Sequence, residues 1–592
     1  MPKRASPSAT ESVANIAKVP HMKVMNGRWT PASVAIMLTL MRRNGFVEKI
    51  DEACEFDRDQ RVLTPGEAVL LIVGATALRN RRIPLYKIGR QYESMNIEGI
   101  LGKRISVESL SDTALSRALD TLYKADREKL FWSIAEEMER VEGLESRVFH
   151  LDQTKIRTYV ADTPECDPDA ARPVIGLDKE GRTDFLLYSV SAMTSENGNI
   201  RYLVPHDGNA SDPAMDRKAI EFIIDAVDPT ECTVVTDSKG TNSILVAEMD
   251  DAGLGFVSKV PENYSSCLRR RVIQSVTDEG LKPSSTRKGH VFYDIDMMVE
   301  ENGECDVRSR KVRCIAFTSE KMRRDTRASL IRSGLKAAEK VSKKLNKLVF
   351  ATREAALAAI GEAQSELALE GAALDWSLQS EEVRDKRDKR GRRPKDEPMT
   401  YHTEWRIASC PIIDEDMASI MAEMTAFQVL ITNLPRPEKG EDESDDIRES
   451  AFPETVLKLY LDQYKQEHVF SLLKGKIGLA QIFVSKPERA NAMMFVLGLA
   501  ALIRNIIDGR FSRQGGVFTT SADMIDRWGL VRIRESGGEM EIDGGGDVEY
   551  EMNDVMRRLD LDEGMVLDSI AQMNRFRFPQ ACRDVDSWSY RH

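Results

Sequence analysis

Three acids in this chain, Asp152, Asp237 and Glu467, stand in settings where a carboxylate can do chemistry. Asp152 closes the apolar run Val148-Phe-His-Leu, and Asp237 closes Thr233-Val-Val-Thr. An acid at the carboxyl end of a strand in an α/β layer points into a cleft. Glu467 lies in Tyr460-Leu-Asp-Gln-Tyr-Lys-Gln-Glu467-His-Val-Phe-Ser-Leu-Leu-Lys474. At about 100° per residue, Tyr460, Gln463, Glu467 and Lys474 share a helical stripe roughly 60° wide. Hard divalent cations take oxygen ligands and keep several waters, so two or three carboxylates suffice to hold them beside a phosphate. Two such ions roughly 3.5–4 Å apart activate a water and stabilise the leaving oxygen of a phosphodiester. Singly, an Asp after an apolar run is most often a turn or cap residue, and a helical Glu a solvated one. The weight lies on the combination. Sulfur and imidazole chemistry is disfavoured: the eight cysteines have no CxxC spacing and the seven histidines are scattered.

The elements that must position these acids follow from patterning. A length of 592 residues predicts about three to five domains or large insertions, and 42% hydrophobic with 30% charged residues describes a globular composition. Residues 1–25 read as a mobile arm without an apolar signal segment. Residues 26–145 read as an all-helical N-terminal domain. In it, Thr64-Pro-Gly-Glu67 carries a capping signature, and Arg79, Arg81 and Arg82 form a basic turn placed to touch DNA or lie in solvent. From 146 to 264 the fold class expected is α/β: strands near 148–152, 185–192, 201–205, 233–237 and 255–260 alternate with helix, including 242–251. Residues 265–425 interrupt that pattern with strands at 290–299 and 312–318, one long helix over 326–367 and strands at 401–413. Residues 426–510 resume it with a strand at 427–433, the Glu467 helix and an apolar helix over 486–507. Residues 511–592 form a C-terminal region with Gly-rich turns and a possible role in oligomerisation. The longest apolar run, 492–503, is too short for a bilayer. The expectation is a cytoplasmic chain with no membrane partner and reduced thiols.

These contexts together resemble the insertion-sequence DDE transposases with an RNase H-like catalytic domain. The closest subgroup has the signature Tyr, two residues, Arg, three residues, Glu, six residues, Lys. Tyr460, Gln463, Glu467 and Lys474 stand at those spacings, with Gln463 in place of Arg. Gln463 carries no charge for a phosphate, and Lys465 lies on another face of the helix. Asp152 with Thr154 is similar to the first acid motif of the family, and Asp237 with Gly240 and Asn242 to the second. Gly208-Asn-Ala-Ser-Asp212, Ser319–Arg327 and Leu430-Ile-Thr-Asn433 are similar to further segments. The resemblance covers about residues 60–510. It implies an RNase H-like mixed sheet flanked by helices, split by a large α+β insertion. It also implies Asp152, Asp237 and Glu467 as catalytic ligands of two Mg²⁺ ions, with Mn²⁺ able to substitute. Tyr460, Lys474, Gln463, Thr154, Arg323, Arg324 and Arg327 would contact substrate. The partners implied are double-stranded DNA, both transposon end and target, and a second copy of the chain, as a homodimer or higher in the DNA complex. His468 lies about 100° round the helix from Glu467 and is expected to pack or face solvent.

Net charge is −12, which argues mildly against nucleic acid, but the distribution reverses the hint. Residues 308–347 hold 14 Lys and Arg against three acids, and 384–395 hold eight against two. Both tracts lie in the expected insertion and suit phosphate contact. The function expected is metal-dependent cleavage at transposon ends and strand transfer into target DNA. Two alternatives stand beside it: an RNase H-like nuclease that cuts without joining, and a catalytically silent DNA-binding protein derived from a transposase.

Overall fold

The computed structural model describes residues 28–77, 83–158, 165–177, 181–237, 243–260, 272, 274–276, 281–285, 287–302, 307–368, 371–386, 398–413, 415–436, 453–475, 477, 484, 486–544 and 546–571. The arm, Arg79, Arg81 and Arg82, the motif positions Gly240 and Asn242, most of the 384–395 charge run and the acidic stretch after 436 therefore lie outside the described residues. The chain divides into two compact units: residues 1–144, 157–171 and 471–592, and residues 145–156 and 172–470.

The first unit is mainly helical. The expected cap is present: Thr64 N donates to Glu67 Oε2 at 2.8 Å and Glu67 N to Thr64 Oγ1 at 3.2 Å, opening helix Pro65–Ala77. That helix, Asp112–Tyr123 and Arg127–Val141 pack against helix Pro487–Gln514. The latter is 28 residues long, beyond the run of 492–503 that its apolar stretch suggests. By length and composition it would cross a membrane, with an 18-residue window of mean hydropathy 1.7, yet that window is entirely buried. A helix apolar all round is the centre of a core. By contacts the helix belongs to this unit, although the sequence pattern groups residues 426–510 with the α/β layer. The C-terminal region also contributes to this unit. Strand Thr30–Pro31 pairs with Arg532–Ser536, which turns through Gly537 and Gly538 (φ +66° and +94°) into Glu539–Asp543. Both turn residues need positive φ, which glycine adopts without strain.

The second unit is mixed α/β, built on one mixed sheet. Its longer strands are β1 (Val148–Arg157), β2 (Leu186–Ser195), β3 (Ile200–Asp207), β4 (Thr233–Thr236), β5 (Gly255–Lys259), β6 (His290–Asn302), β7 (Val307–Ser319) and β8 (Gln428–Thr432). Their spatial order is β3-β2-β1-β4-β5-β8-β7-β6. β1, β4 and β5 are parallel neighbours; β2 with β3, and β5, β8, β7 and β6 in turn, are antiparallel. The sheet therefore does not end at residue 264. β6 and β7, thirteen residues each, extend it through β8, because Arg313–Phe317 register against Gln428–Thr432. What forms a separate layer starts only after β7. Helix Glu320–Leu345 and helix Arg353–Ala368, two helices where one was expected, cover an antiparallel pair, Ala372–Arg384 with Tyr401–Ile413. Two-residue strand Val349–Phe350 intervenes, and Thr352 Oγ1 accepts from Ala355 N to start the second helix. Ala338, Leu345, Ile360, Leu367, Leu374 and Ile407 fill the core of that layer.

Candidate functional site

β1 sorts its side chains by alternation onto two faces. Gln153 and Lys155 take one face: the Gln153 amide donates to Asp216 of helix α1 (Asp212–Ala226), and Lys155 Nζ reaches Ser189 Oγ at 2.6 Å and the carbonyls of Gly208 and Ala210. The segment 208–212 thus has a structural tie to β1. His150, Asp152 and Thr154 take the other face. Val148 of that face, with Val235, Val257, Ile315, Phe317 and Leu430, forms a core with Val456, Leu457, Leu459 and Tyr460 of helix α2 (Pro453–Leu461).

The two aspartates meet through register. β1 and β4 pair in parallel as Val148↔Thr233 through Leu151↔Thr236, so Asp152 and Asp237 are the next positions of neighbouring strands. Parallel partners in register share a face and lie about 4.8 Å apart across the sheet. Both acids are half-buried. Asp152 does not end its strand, as the apolar run suggested: β1 continues to Arg157, and Asp152 Oδ1 accepts from Gln153 N at 2.7 Å. Asp237 does follow β4 directly. Thr236 Oγ1 is 2.7 Å from Ser258 Oγ, which ties the end of β4 to β5. Thr154 is buried, and its hydroxyl has no hydrogen-bond partner among the described residues.

Tyr460 packs in the core on the same sheet face as Val148. It is only 9% exposed, and its ring centroid lies 5.9 Å from that of Phe317. Burial raises its phenol pKa above the ordinary value, and the Asp237 carboxylate adds to the rise. That electrostatic contribution ties Tyr460 to Asp237.

The stripe expected from Tyr460 to Lys474 is broken. α2 ends at Leu461 and a second helix, α3, runs Tyr464–Lys474. Between them Gln463 N donates to Tyr460 O at 3.3 Å and Gln466 N to Gln463 O at 3.0 Å, tight three-residue turns that abandon continuous helical phase. Buried Asp462 holds the turn: its carboxylate accepts from Arg287 at 2.9 Å and from Lys465 at 3.2 Å. Tyr460 and Glu467 therefore belong to different helices, and half-buried Gln463 lies in the turn. Lys465 is turned away from the stripe as expected, its Nζ donating to Glu196 O at 2.9 Å. Gln466 anchors α3 to β2 through Ala192 O at 2.8 Å. Gln466, Val469, Phe470 and Leu473 make the buried face of α3; Glu467, His468 and Ser471 are exposed and Lys474 is half-buried. Glu467 and Lys474 keep their two-turn spacing on one side of α3. The division between the units falls inside this helix, at Ser471.

Register thus brings Asp152 and Asp237 together, and Tyr460 lies within electrostatic reach of Asp237. Glu467 is not joined to them in a metal-holding cluster: no group of three or more His, Cys, Asp or Glu that could hold a metal ion occurs among the described residues. His150 went unnoticed in the sequence. It is buried on the face of Asp152, its two nitrogens lack hydrogen-bond partners among the described residues, and its pKa falls to about 4. Burial is the main cause, the Lys465 ammonium adds to it, and Asp462 opposes both. The signal available was its position two residues before Asp152 in a strand. Of the arginines, Arg323 pairs with Glu423 at 3.3 Å, and Arg327 reaches Glu415 at 2.7 Å and Ser419 at 2.8 Å. Both fasten helix Glu415–Thr425 to helix Glu320–Leu345. Arg324 is exposed, 3.8 Å from Asp325.

Among protein families, a domain of unknown function, DUF4277, matches residues 32–136. That span lies in the helical unit and holds none of the site residues. No curated protein matches the chain.

Proposed function

We propose that this chain is a DNA transposase of the DDE type with an RNase H-like core, cutting at transposon ends and joining the freed end to target DNA. The observation that carries the reading is the matched placement of Asp152 and Asp237 at successive register positions of neighbouring parallel strands. A mixed sheet with Asp152 on one central parallel strand and Asp237 directly after its parallel neighbour, helices α1 and α2 on opposite faces and an α+β layer inserted before β8 supports the RNase H-like arrangement.

The donor set fits hard divalent cations. Two half-buried carboxylates at successive positions of neighbouring strands, beside a buried hydroxyl without a hydrogen-bond partner among the described residues, are oxygen ligands of the kind Mg²⁺ or Mn²⁺ takes. Asp152 and Asp237 would hold the ions; Glu467, exposed on α3 and not gathered with them among the described residues, is the third carboxylate that the resemblance implies. Two bound ions supply activation of the attacking oxygen and charge stabilisation at the leaving one. In hydrolysis, water oxygen bonds to phosphorus, the bond to the leaving 3′-oxygen breaks, and that oxygen leaves as a 3′-hydroxyl. In strand transfer that hydroxyl attacks a phosphodiester of the target and displaces another 3′-oxygen. The chain's own groups bind and orient: Tyr460 offers a phenol held neutral by burial beside Asp237, and Lys474 offers a cation two turns beyond Glu467. Glu467 lies in the first turn of α3 and is exposed to incoming substrate.

The exposure of Glu467, outside any metal-holding acid cluster among the described residues, favours one second reading, a catalytically silent DNA-binding protein derived from a transposase. The deciding measurement is nicking of DNA carrying the sequences that flank the gene, with Mg²⁺. Wild-type protein is expected to cut at a fixed position. Asp152→Asn and Glu467→Gln are each expected to lose about 100-fold or more, the scale of one catalytic electrostatic group, while still binding DNA. Undiminished cutting by Asp152→Asn would sink the assignment.

A further inference from the structure

We infer that the outer face of helix Glu320–Leu345 is a track for the phosphate backbone of duplex DNA, formed by Lys321, Arg324, Arg332, Lys336, Lys340 and Lys343. At about 100° per residue these six fall within an arc of roughly 160°. The opposite side of the helix packs: Gly334, Ala338 and Leu345 are buried, and Arg323 and Arg327 are turned into ion pairs with helix Glu415–Thr425. Packing therefore divides the basic residues of this helix into fasteners and a second set facing outward. All six outward cations are exposed. Asp325 and Glu339 are the only acids on the same arc, so the ridge carries six positive charges against two negative.

Local pairing leaves most of that charge available. Lys321, Lys336 and Lys340 form no ion pair among the described residues, Lys343 meets Glu339 only at 3.5 Å, and Arg324 meets Asp325 only at 3.8 Å. From Lys321 to Lys343 the ridge runs about 33 Å at ~1.5 Å per residue. It is stiff, because Ala338 and Leu345 share a core with Ile360, Leu374 and Ile407. A rigid row of cations on a chain of net charge −12 has a polyanion as its complement. Regularly spaced phosphates on a stiff duplex match it without reading base sequence. The inference deepens the proposed function by naming a DNA-holding surface, but it does not depend on cleavage.

The test is binding of the full chain to a labelled 40-base-pair duplex of arbitrary sequence across a salt series. The triple variant Lys336→Gln, Lys340→Gln, Lys343→Gln is expected to bind about tenfold or more weakly at 0.1 M salt. Its slope of log affinity against log salt should fall by about 2–3, at ~0.9 per phosphate contact. The matching Lys→Arg triple should keep the wild-type slope. A control removing Lys129, Lys282 and Lys288 should stay within about twofold of wild type. Unchanged affinity and slope in a triple variant with the wild-type unfolding midpoint would overturn the inference. So would an equal loss in the control, or a wild-type chain that fails to bind duplex at low salt. End cleavage reports separately: if Asp152→Asn cuts normally while the ridge variant loses binding, the transposase reading fails and the track stands.

Discussion

At the scale of single residues, burial decides which groups keep their ordinary chemistry. His206 is buried between β2 and β3, its Nε2 2.9 Å from Ser191 Oγ. Burial lowers its pKa from 6.5 to about 4; the Lys218 ammonium adds to this, the Asp207 carboxylate opposes it and Lys155 adds a little more. The folded chain therefore binds fewer protons at this site than the unfolded chain between those values. The stability this neutral histidine confers is complete above pH 6.5, declines as pH falls toward 4 and is gone below. A shift of that size corresponds to about 3 kcal/mol. Unfolding midpoints in urea from pH 7 to 4 should fall steeply for wild type and less for His206→Gln; parallel curves would refute the assignment. Asp152 and Asp237 were legible because each closes an apolar run. His150 and His206 were not, since a lone histidine in a strand gives no sign of its burial.

At the scale of elements, the break between α2 and α3 matters most. A continuous helix from Tyr460 to Lys474 would align all four motif residues, but buried Asp462 stops it by holding Arg287 and Lys465. Asp462→Ala leaves Lys465 short of a partner in a half-buried turn. The expected cost is about 2 kcal/mol by analogy with broken buried pairs, read from chemical denaturation. At the other fastening, Arg327→Ala should cost no more than about 1 kcal/mol, because Glu415 is exposed. Local helical signal was readable on both sides of Asp462. The break was not, because it depends on Arg287, 175 positions away.

At the scale of the whole molecule, the chain closes its helical unit with segments from both ends. Strand Thr30–Pro31 needs Arg532–Ile533, and helix Ala32–Arg43 packs against helix Glu563–Ala571. The apolar helix Pro487–Gln514 supplies the centre. A fragment limited to residues 28–144 should therefore show no cooperative thermal transition by circular dichroism, although it spans the whole DUF4277 match. A sharp transition in that fragment would show that it folds without the C-terminal segments.

Sequence by itself determined what depends on near neighbours. Short apolar runs marked β1 to β5, the Thr64–Glu67 spacing marked a helix start, and acids after apolar runs marked the candidate site. Tertiary structure alone decided which of these parts meet. Register between β1 and β4 set Asp152 beside Asp237; β8 joined the 290–319 hairpin to the main sheet; and packing turned Arg323 and Arg327 inward while leaving the lysine ridge outside. The physical reason is that local pattern reflects the energetics of a few successive residues. Strand partners and helix faces depend on segments hundreds of positions apart, whose pairing no short window of sequence records.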